Sequence, residues 1–439
     1  MSLAALAERR GLRFAAFAVL YASQGLPYGL LSIAIPAHLA ELGVSAGAIG
    51  GYMGVILLPW SLKLLNGPVM DRWTLLAMGR RRPWILAAQL GMAVGSVLLA
   101  LAPDPLANLA LLTALGFAVN FFAAFQDVAV DGMAIEIIPE PEQARANGFM
   151  WGGKMLGIAG AAAGGAWMLN TVGFGATLAA HGVVVGAVML VPLLLRERQG
   201  ERLLPWSAGA PSPESEALQL EGWRDIGRSL IRAVALPASL VLLAFAFVTG
   251  LLNGLFEAAM PLLTVRELDW SDSDYAQLAA TARIVSGVLG MVVGGLLVER
   301  MGRRGALGAS LGVFLVTALA MAAGPAIWHG QGAVPAYAVV FQVAYVLMSI
   351  AFFATAMAMC WKRVGATQFA LFMATSNLGL SSGSALLGPV SGAFGIEGMF
   401  FAIAACAGLG LVALRLLDQE AHRLRMDALE IAVPVAAPV

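Results

Sequence analysis

Long apolar stretches broken by short polar intervals recur almost from one end of the chain to the other. A helix that spans a bilayer takes about 20 mostly apolar residues. The runs predict about twelve such helices, near 14–37, 46–66, 84–103, 106–136, 147–170, 175–195, 236–263, 275–299, 305–325, 333–361, 367–393 and 397–417. The longest polar interval runs from Arg196 to Arg232. Its first part holds Pro205, Pro211 and Pro213 with Ser207, Ser212 and Ser215, the composition of a flexible linker. Its second part sets Leu220, Trp223, Ile226, Leu230 and Ile231 at helical spacing, with Arg224, Arg228 and Arg232 between them. That pattern predicts an amphipathic helix on the cytoplasmic face. The chain is thus expected to be an all-α membrane protein, with six-helix bundles over 1–195 and 233–418, a linker over 196–232 and a cytoplasmic tail over 419–439.

Composition sharpens the reading. Of the 439 residues 60% are hydrophobic and 12% charged, half the charged fraction of about a quarter that coats a soluble domain. Lipid must be the solvent for much of the exterior. The 26 basic and 26 acidic residues cancel, which gives no argument for nucleic acid. Cys360 and Cys406 both fall inside apolar runs and read as packing residues. Arg9, Arg10 and Arg13 lead into a run of spanning length with no small-residue cleavage site at its end, so that run is read as a retained first span.

Charge also orients the chain. Of the 26 Lys and Arg, 22 lie at the N-terminus, in the even-to-odd loops or in the tail, while the loop after helix 7 collects Glu267, Asp269, Asp272 and Asp274. The positive-inside rule then places both termini in the cytoplasm, as for a multi-pass protein of the inner membrane.

One loop signature occurs twice. After helix 2 stand Gly67, Asp71 and Arg72, then Gly79, Arg80, Arg81 and Arg82. After helix 8 stand Gly295, Glu299 and Arg300, then Gly302, Arg303 and Arg304. Gly67 and Gly295 are 228 positions apart, as are Asp71 and Glu299. Two copies half a chain apart imply duplicated six-helix halves. Here the sequence resembles the major facilitator superfamily, whose loop pattern is Gly-x-x-x-Asp-Arg-x-Gly-Arg-Arg. The first copy is stretched by six residues before Gly79, and the second has Glu for Asp. The resemblance implies a twelve-helix transporter in which these residues form a cytoplasmic gate. An acid on helix 4, Asp131 or Glu136, would be the partner of the arginines.

Charges inside the predicted spans are few, and a charge in a bilayer usually has a partner or lines a cavity. Helix 4 carries Gln126, Asp127 and Asp131, with the two carboxylates one turn apart on one face. Lys63 on helix 2 either snorkels at the gate or pairs with helix 4, and Lys154 on helix 5 either faces an anionic solute or neutralises Asp127. Glu257 on helix 7 and Arg283 on helix 8 are expected as an ion pair, static or switching. Asp127, Asp131 and Glu257 are the candidate proton sites. Gln24, Tyr28, Asn120, Gln126, Trp151, Lys154, Asn253, Arg283, Gln342, Tyr345 and Asn377 are the candidate solute contacts. Lys63, Gly67, Asp71, Arg72, Arg80, Arg81, Glu136, Gly295, Glu299, Arg300 and Arg303 are the candidate gate. Glycines on helix 5 (Gly153, Gly157, Gly160, Gly164, Gly165) and helix 8 (Gly287, Gly290, Gly294, Gly295) are read as faces on which the halves meet and slide. Gly25-Leu26-Pro27 and Pro36 are expected to interrupt helix 1.

Several blocks resemble one branch of that superfamily, the AmpG muropeptide permeases and acetyl-coenzyme A transporters. They are Gln24-Gly25-Leu26-Pro27, Ser61-Leu62-Lys63, Gln126 to Asp131, and Ala366-Thr367-Gln368-Phe369-Ala370-Leu371. The resemblance implies proton-driven import of a polar, anionic amphiphile such as a peptidoglycan muropeptide; RhtX/FptX-type siderophore importers look similar. The expected partners are lipid, a small solute and protons, acting on a monomer, with no cofactor and no metal. An enzyme is disfavoured: His38, His181, His329 and His422 are scattered, with no His-Glu-x-x-His motif. A non-transporting sensor would carry a large soluble domain.

Overall fold

The computed structural model describes residues 5–220, 222–330 and 332–432. The last seven residues of the predicted tail lie outside that range. All twelve predicted segments are helical. We label them α1 (10–41), α2 (46–72), α3 (Arg82–Leu101), α4 (Leu109–Ile137), α5 (Gln143–Thr171), α6 (174–194), α7 (237–267), α8 (272–301), α9 (Arg303–Met321), α10 (Ala333–Met359), α11 (Gly365–Ala385) and α12 (Leu387–Leu416). Among the described residues ten are long and apolar enough to cross a membrane, and α5 and α11 are not among those ten.

Two compact units emerge. The first comprises 1–139, 149–227 and the short segment 362–370; the second comprises 140–148, 228–361 and 371–439. Each repeats one packing scheme: α3 lies against α4 and α6 in the first unit, and α9 against α10 and α12 in the second.

Close backbone approach explains why α5 and α11 are the less apolar pair. In the first unit a Cβ on Gly157 would lie 2.1 Å from the Ala22 carbonyl oxygen, and one on Gly25 would lie 2.4 Å from that of Lys154. Gly29 and Gly153 complete the seam, so α1 and α5 press glycines into each other's backbones. The second unit repeats the device between α7 and α11. There Cβ atoms on Gly250 and Gly379 would lie 2.0 Å and 2.1 Å from the carbonyl oxygens of Ser376 and Phe247. Gly153 and Gly157 therefore lock α5 onto α1 within one unit rather than forming the sliding face read from sequence, while nothing lies within 4 Å of a Cβ on Gly160 or Gly164. Gly290 and Gly294 of α8 likewise face Val346 and Ile350 of α10.

Two of the helix irregularities follow prolines. Pro27 interrupts α1 by lacking a donor, and a π-helical stretch over Leu30–Ala34 follows it. Pro261 of α7 is followed in the same way by Leu262–Glu267. Gly395, at φ +68°, breaks α12 where the sequence placed the limit between the last two helices.

The interval 196–220 is pinned rather than free. Its backbone pairs with the N-terminal residues, Leu6 N–H donating to the Arg196 carbonyl at 2.9 Å and Ala7 N–H to that of Glu197 at 2.9 Å. Arg13 secures the same turn by donating to the Leu6 and Ala7 carbonyls at 2.9 and 2.8 Å. Gln219 reaches the loop after α2, accepting from Thr74 and donating to the Arg72 carbonyl. The amphipathic helix forms over Trp223–Val234, burying Ile226 and Ala233 and exposing Arg224, Arg228, Ile231 and Arg232.

Candidate functional site

Inside the first unit, four charged side chains meet. Asp127 of α4 lies 3.0 Å from the Lys63 ammonium of α2 and 3.8 Å from that of Lys154 of α5. One turn along α4, Asp131 accepts a hydrogen bond from the hydroxyl of Tyr21 on α1. The glycine seam sets this geometry, because Gly153 and Gly25 hold the α5 backbone at Lys154 against α1. The two lysines differ. Lys63 and Asp127 are buried, with side chains 8% and 4% exposed, while Lys154 is 21% exposed. The Lys154 ammonium also sits 5.1 Å from the Trp60 ring and 5.9 Å from the Trp151 ring, within cation–π range. Trp60 is held by its indole N–H, which donates to Asn120 at 3.0 Å. With both lysines and both aspartates ionised the cluster sums to zero charge.

A second cluster stands at the end of this unit that carries the 73–81 loop. Glu136 accepts from Arg80 and Arg81, each at 2.8 Å, and Asp71 also pairs with Arg81. Asp71 further accepts from the Thr367 hydroxyl at 2.6 Å and the Thr367 N–H at 3.2 Å. Arg80 donates to the Lys362 and Arg363 carbonyls at 3.2 and 2.9 Å. All four charged side chains are fully buried. A Cβ on Gly67 would come within 2.6 Å of the Thr367 Cα, so only glycine admits this approach. The second unit carries the matching arrangement: Glu299 pairs with Arg145, and a Cβ on Gly295 would lie 2.5 Å from the Arg145 Cα. Arg303 adds a pair to Glu140 at 3.2 Å.

Other predicted residues fall elsewhere. Lys63, assigned to the gate, sits instead on Asp127. Arg72 offers only its carbonyl to Gln219, and Arg300 is exposed on α8, so neither joins an ion pair among the described residues. Gln126 is a helix contact, donating to the Leu20 carbonyl and the Ser23 hydroxyl of α1. Gln24 is fully buried with neither amide atom hydrogen-bonded among the described residues, and the Asn253 amide oxygen is in the same position. Tyr28 and Asn377 are exposed, and Tyr345 is half-buried on α10.

In the second unit Arg283 pairs with Glu257 at 2.9 Å, and Gln342 donates to the same carboxylate at 3.4 Å. These side chains are 49% and 32% exposed. Among the described residues no three His, Cys, Asp or Glu side chains are grouped to hold a metal ion.

A family profile described as Major Facilitator Superfamily matches residues 17–383. The chain belongs to this superfamily. Among curated proteins, the anhydromuropeptide permease of Escherichia coli is 25% identical over 433 residues, covering 94% of this chain and 82% of that protein. An uncharacterized protein of Haemophilus influenzae is 34% identical over 125 residues, which span 28% of this chain and 29% of that one. Among solved structures, the human organic anion transporter MFSD10 superposes with a TM-score of 0.69 at 15% identity, covering 93% of this chain and all of that one. The major facilitator transporter FucP, in its outward conformation, gives a TM-score of 0.67 at 15% identity, covering 92% and 98%. These two share the fold.

The fold of this major facilitator transporter also brings into these clusters residues whose place there the sequence did not show. Tyr21 and Trp60 lie within apolar runs, where an aromatic residue usually reads as core. Arg145 and Thr367 lie in the first turns of α5 and α11 and acquire meaning only once Glu299 and Asp71 are seen to hold them. Glu197 offers the least warning: from the polar interval it accepts the N–H groups of Arg80 at 3.1 Å, Arg81 at 2.7 Å, and Arg82. It thereby satisfies the open donors at the start of α3.

Proposed function

We propose that this transporter imports an anionic amphiphilic solute, a muropeptide-like sugar–peptide acid, together with a proton across the bacterial inner membrane by alternating access. The observation that carries the reading is Asp127 set between two unequal lysines. Lys63 holds it tightly from a buried position, whereas Lys154 holds it loosely, is partly exposed and is bordered by two indole rings. An anion arriving at Lys154 draws that ammonium away from Asp127 and adds a negative charge to a cluster that was neutral. A proton taken up at the same time restores the balance.

Asp131 is the carboxyl placed to take it. Asp127 already faces two ammonium groups, while the contact made by Asp131 is the neutral Tyr21 hydroxyl. Of the three candidate proton sites read from the sequence, Asp127, Asp131 and Glu257, this reading takes Asp131. The Asp71–Arg81–Glu136 and Glu299–Arg145 clusters act as the gate on the cytoplasmic side, an orientation supported by the distribution of Lys and Arg in the loops. The likeness to the anhydromuropeptide permease supports the solute class.

The test is uptake of a labelled anhydromuropeptide into proteoliposomes with an imposed pH gradient. Wild type is expected to accumulate the solute only with the outside acidic. Asp131→Asn is expected to bind and exchange solute yet lose gradient-driven accumulation. Wild-type accumulation indifferent to the gradient would defeat the coupling, and full accumulation by Asp131→Asn would remove that residue from it.

A further inference from the structure

The segment after α6 carries two buried acids that transport as described above does not use. Glu197 and Glu201 are both fully buried. They converge on Gly79: a Cβ there would lie 2.7 Å from a Glu197 carboxylate oxygen and 3.0 Å from one of Glu201. Gly79 also has φ +96°, so the turn is glycine's on two counts. Glu197 spends its oxygens on the N–H groups of Arg80, Arg81 and Arg82. Glu201 uses one oxygen to accept the Arg198 N–H at 3.0 Å, and the other has no hydrogen-bond partner among the described residues. A fully buried carboxyl next to a carboxylate, with one oxygen unbonded, is an arrangement suited to a bound proton.

We propose that Glu197 and Glu201 form a proton-binding pair that clasps the Gly79–Arg82 turn and so sets whether Arg80 and Arg81 are held in their cluster. The three N–H groups that Glu197 caps belong to the arginines whose neighbours and side chains build that cluster. Arg80 and Arg81 supply the ions, and Arg82 ties the turn to the same segment by donating to the Leu203 carbonyl. Arg202 N–H closes the clasp on the Ala77 carbonyl at 2.6 Å.

The charged groups facing the pair are Arg80, Arg81 and Arg82 of the turn and the start of α3, Glu136 of α4, and Arg198 of the segment itself. Their balance falls on the side of the proton. Burial, then the Glu197 carboxylate, push Glu201 up to about 8, and burial with Glu136 raises Glu197. The clasped form therefore holds a proton that a released, solvated Glu201, titrating at about 4.3, does not. Such a group weakens the clasp as pH rises from about 4.3 to about 8, by about tenfold in the released-to-clasped ratio per pH unit, and no further above that.

The experiment is amide hydrogen exchange of full-length protein in nanodiscs, following the peptide over residues 79–84 from pH 6 to pH 9. After correction for intrinsic exchange, opening of this peptide is expected to rise about tenfold per unit between pH 6 and 8, then level. In Glu201→Gln, which keeps the size of the protonated acid, that one-proton slope is expected to vanish. A wild type with no slope below pH 8 overturns the proposal whether or not the variant folds. A slope unchanged in Glu201→Gln overturns it too, by assigning the proton to another group.

Discussion

Asp127→Asn is expected to reduce gradient-driven uptake to background and to lower the thermal unfolding midpoint of the purified transporter. The carboxylate has two buried or half-buried ammonium groups within 4 Å, and its loss leaves Lys63, 8% exposed, with its charge unanswered at 3.0 Å. Breaking a buried ion pair from one side costs about 3–5 kcal/mol, because the remaining charge stays buried without compensation. Asp131 is one turn away and is held by Tyr21, so it is not placed to substitute. The double variant Asp127→Asn with Lys63→Met separates the two effects. It removes the stranded charge and is expected to recover most of the folded yield and unfolding midpoint, while uptake stays at background because Lys154 no longer has a carboxylate to leave. A single variant with wild-type unfolding and wild-type uptake would show that the cluster is neither structural nor functional.

The two clusters around Asp71 and Glu299 were the most legible part of the site. Their first glycine and acid repeat 228 positions apart, and a repeated glycine followed by an acid and then arginines needs little context to be recognised. The proximity of Asp127 and Asp131 was equally plain, since residues four apart on a helix share a face. What the chain could not disclose was pairing across helices. Lys63 lies two turns before Asp71 in sequence, which suggested an end of the helix, yet its side chain belongs to Asp127 on α4. The glycines of α5 announced close packing without naming what they pack against, because a one-helix pattern is satisfied by any neighbour with an accessible backbone. The acids at 197 and 201 were hidden for the opposite reason. In a stretch rich in proline, serine and charge, a glutamate is ordinarily solvated, and only the fold turns these two inward against the start of α3.

The α1–α5 seam gives the second large expected effect, and the same helix supplies its control. Gly157→Leu would bring a Cβ to 2.1 Å from the Ala22 carbonyl oxygen and 2.9 Å from its carbon. Those atoms are backbone, so no rotamer change relieves the overlap, and α5 has to move away from α1. Lys154, three residues earlier, moves with it; its contact to Asp127 is already 3.8 Å, and a shift of about 1 Å is enough to lose most of the pairing and the placement over Trp60. Gly160→Leu adds the same side chain to the same helix one turn later, where nothing lies within 4 Å of the new Cβ. Gly157→Leu is expected to abolish uptake and to cost about 1–3 kcal/mol or more through overpacking, read as a fall in the unfolding midpoint. Gly160→Leu is expected to leave the midpoint unchanged or raised, since leucine favours helix over glycine by up to about 1 kcal/mol. Equal behaviour of the two variants would mean that α5 is not seated on α1 through its glycines. The charge cluster would then need some other account of how Lys154 comes to stand beside Asp127.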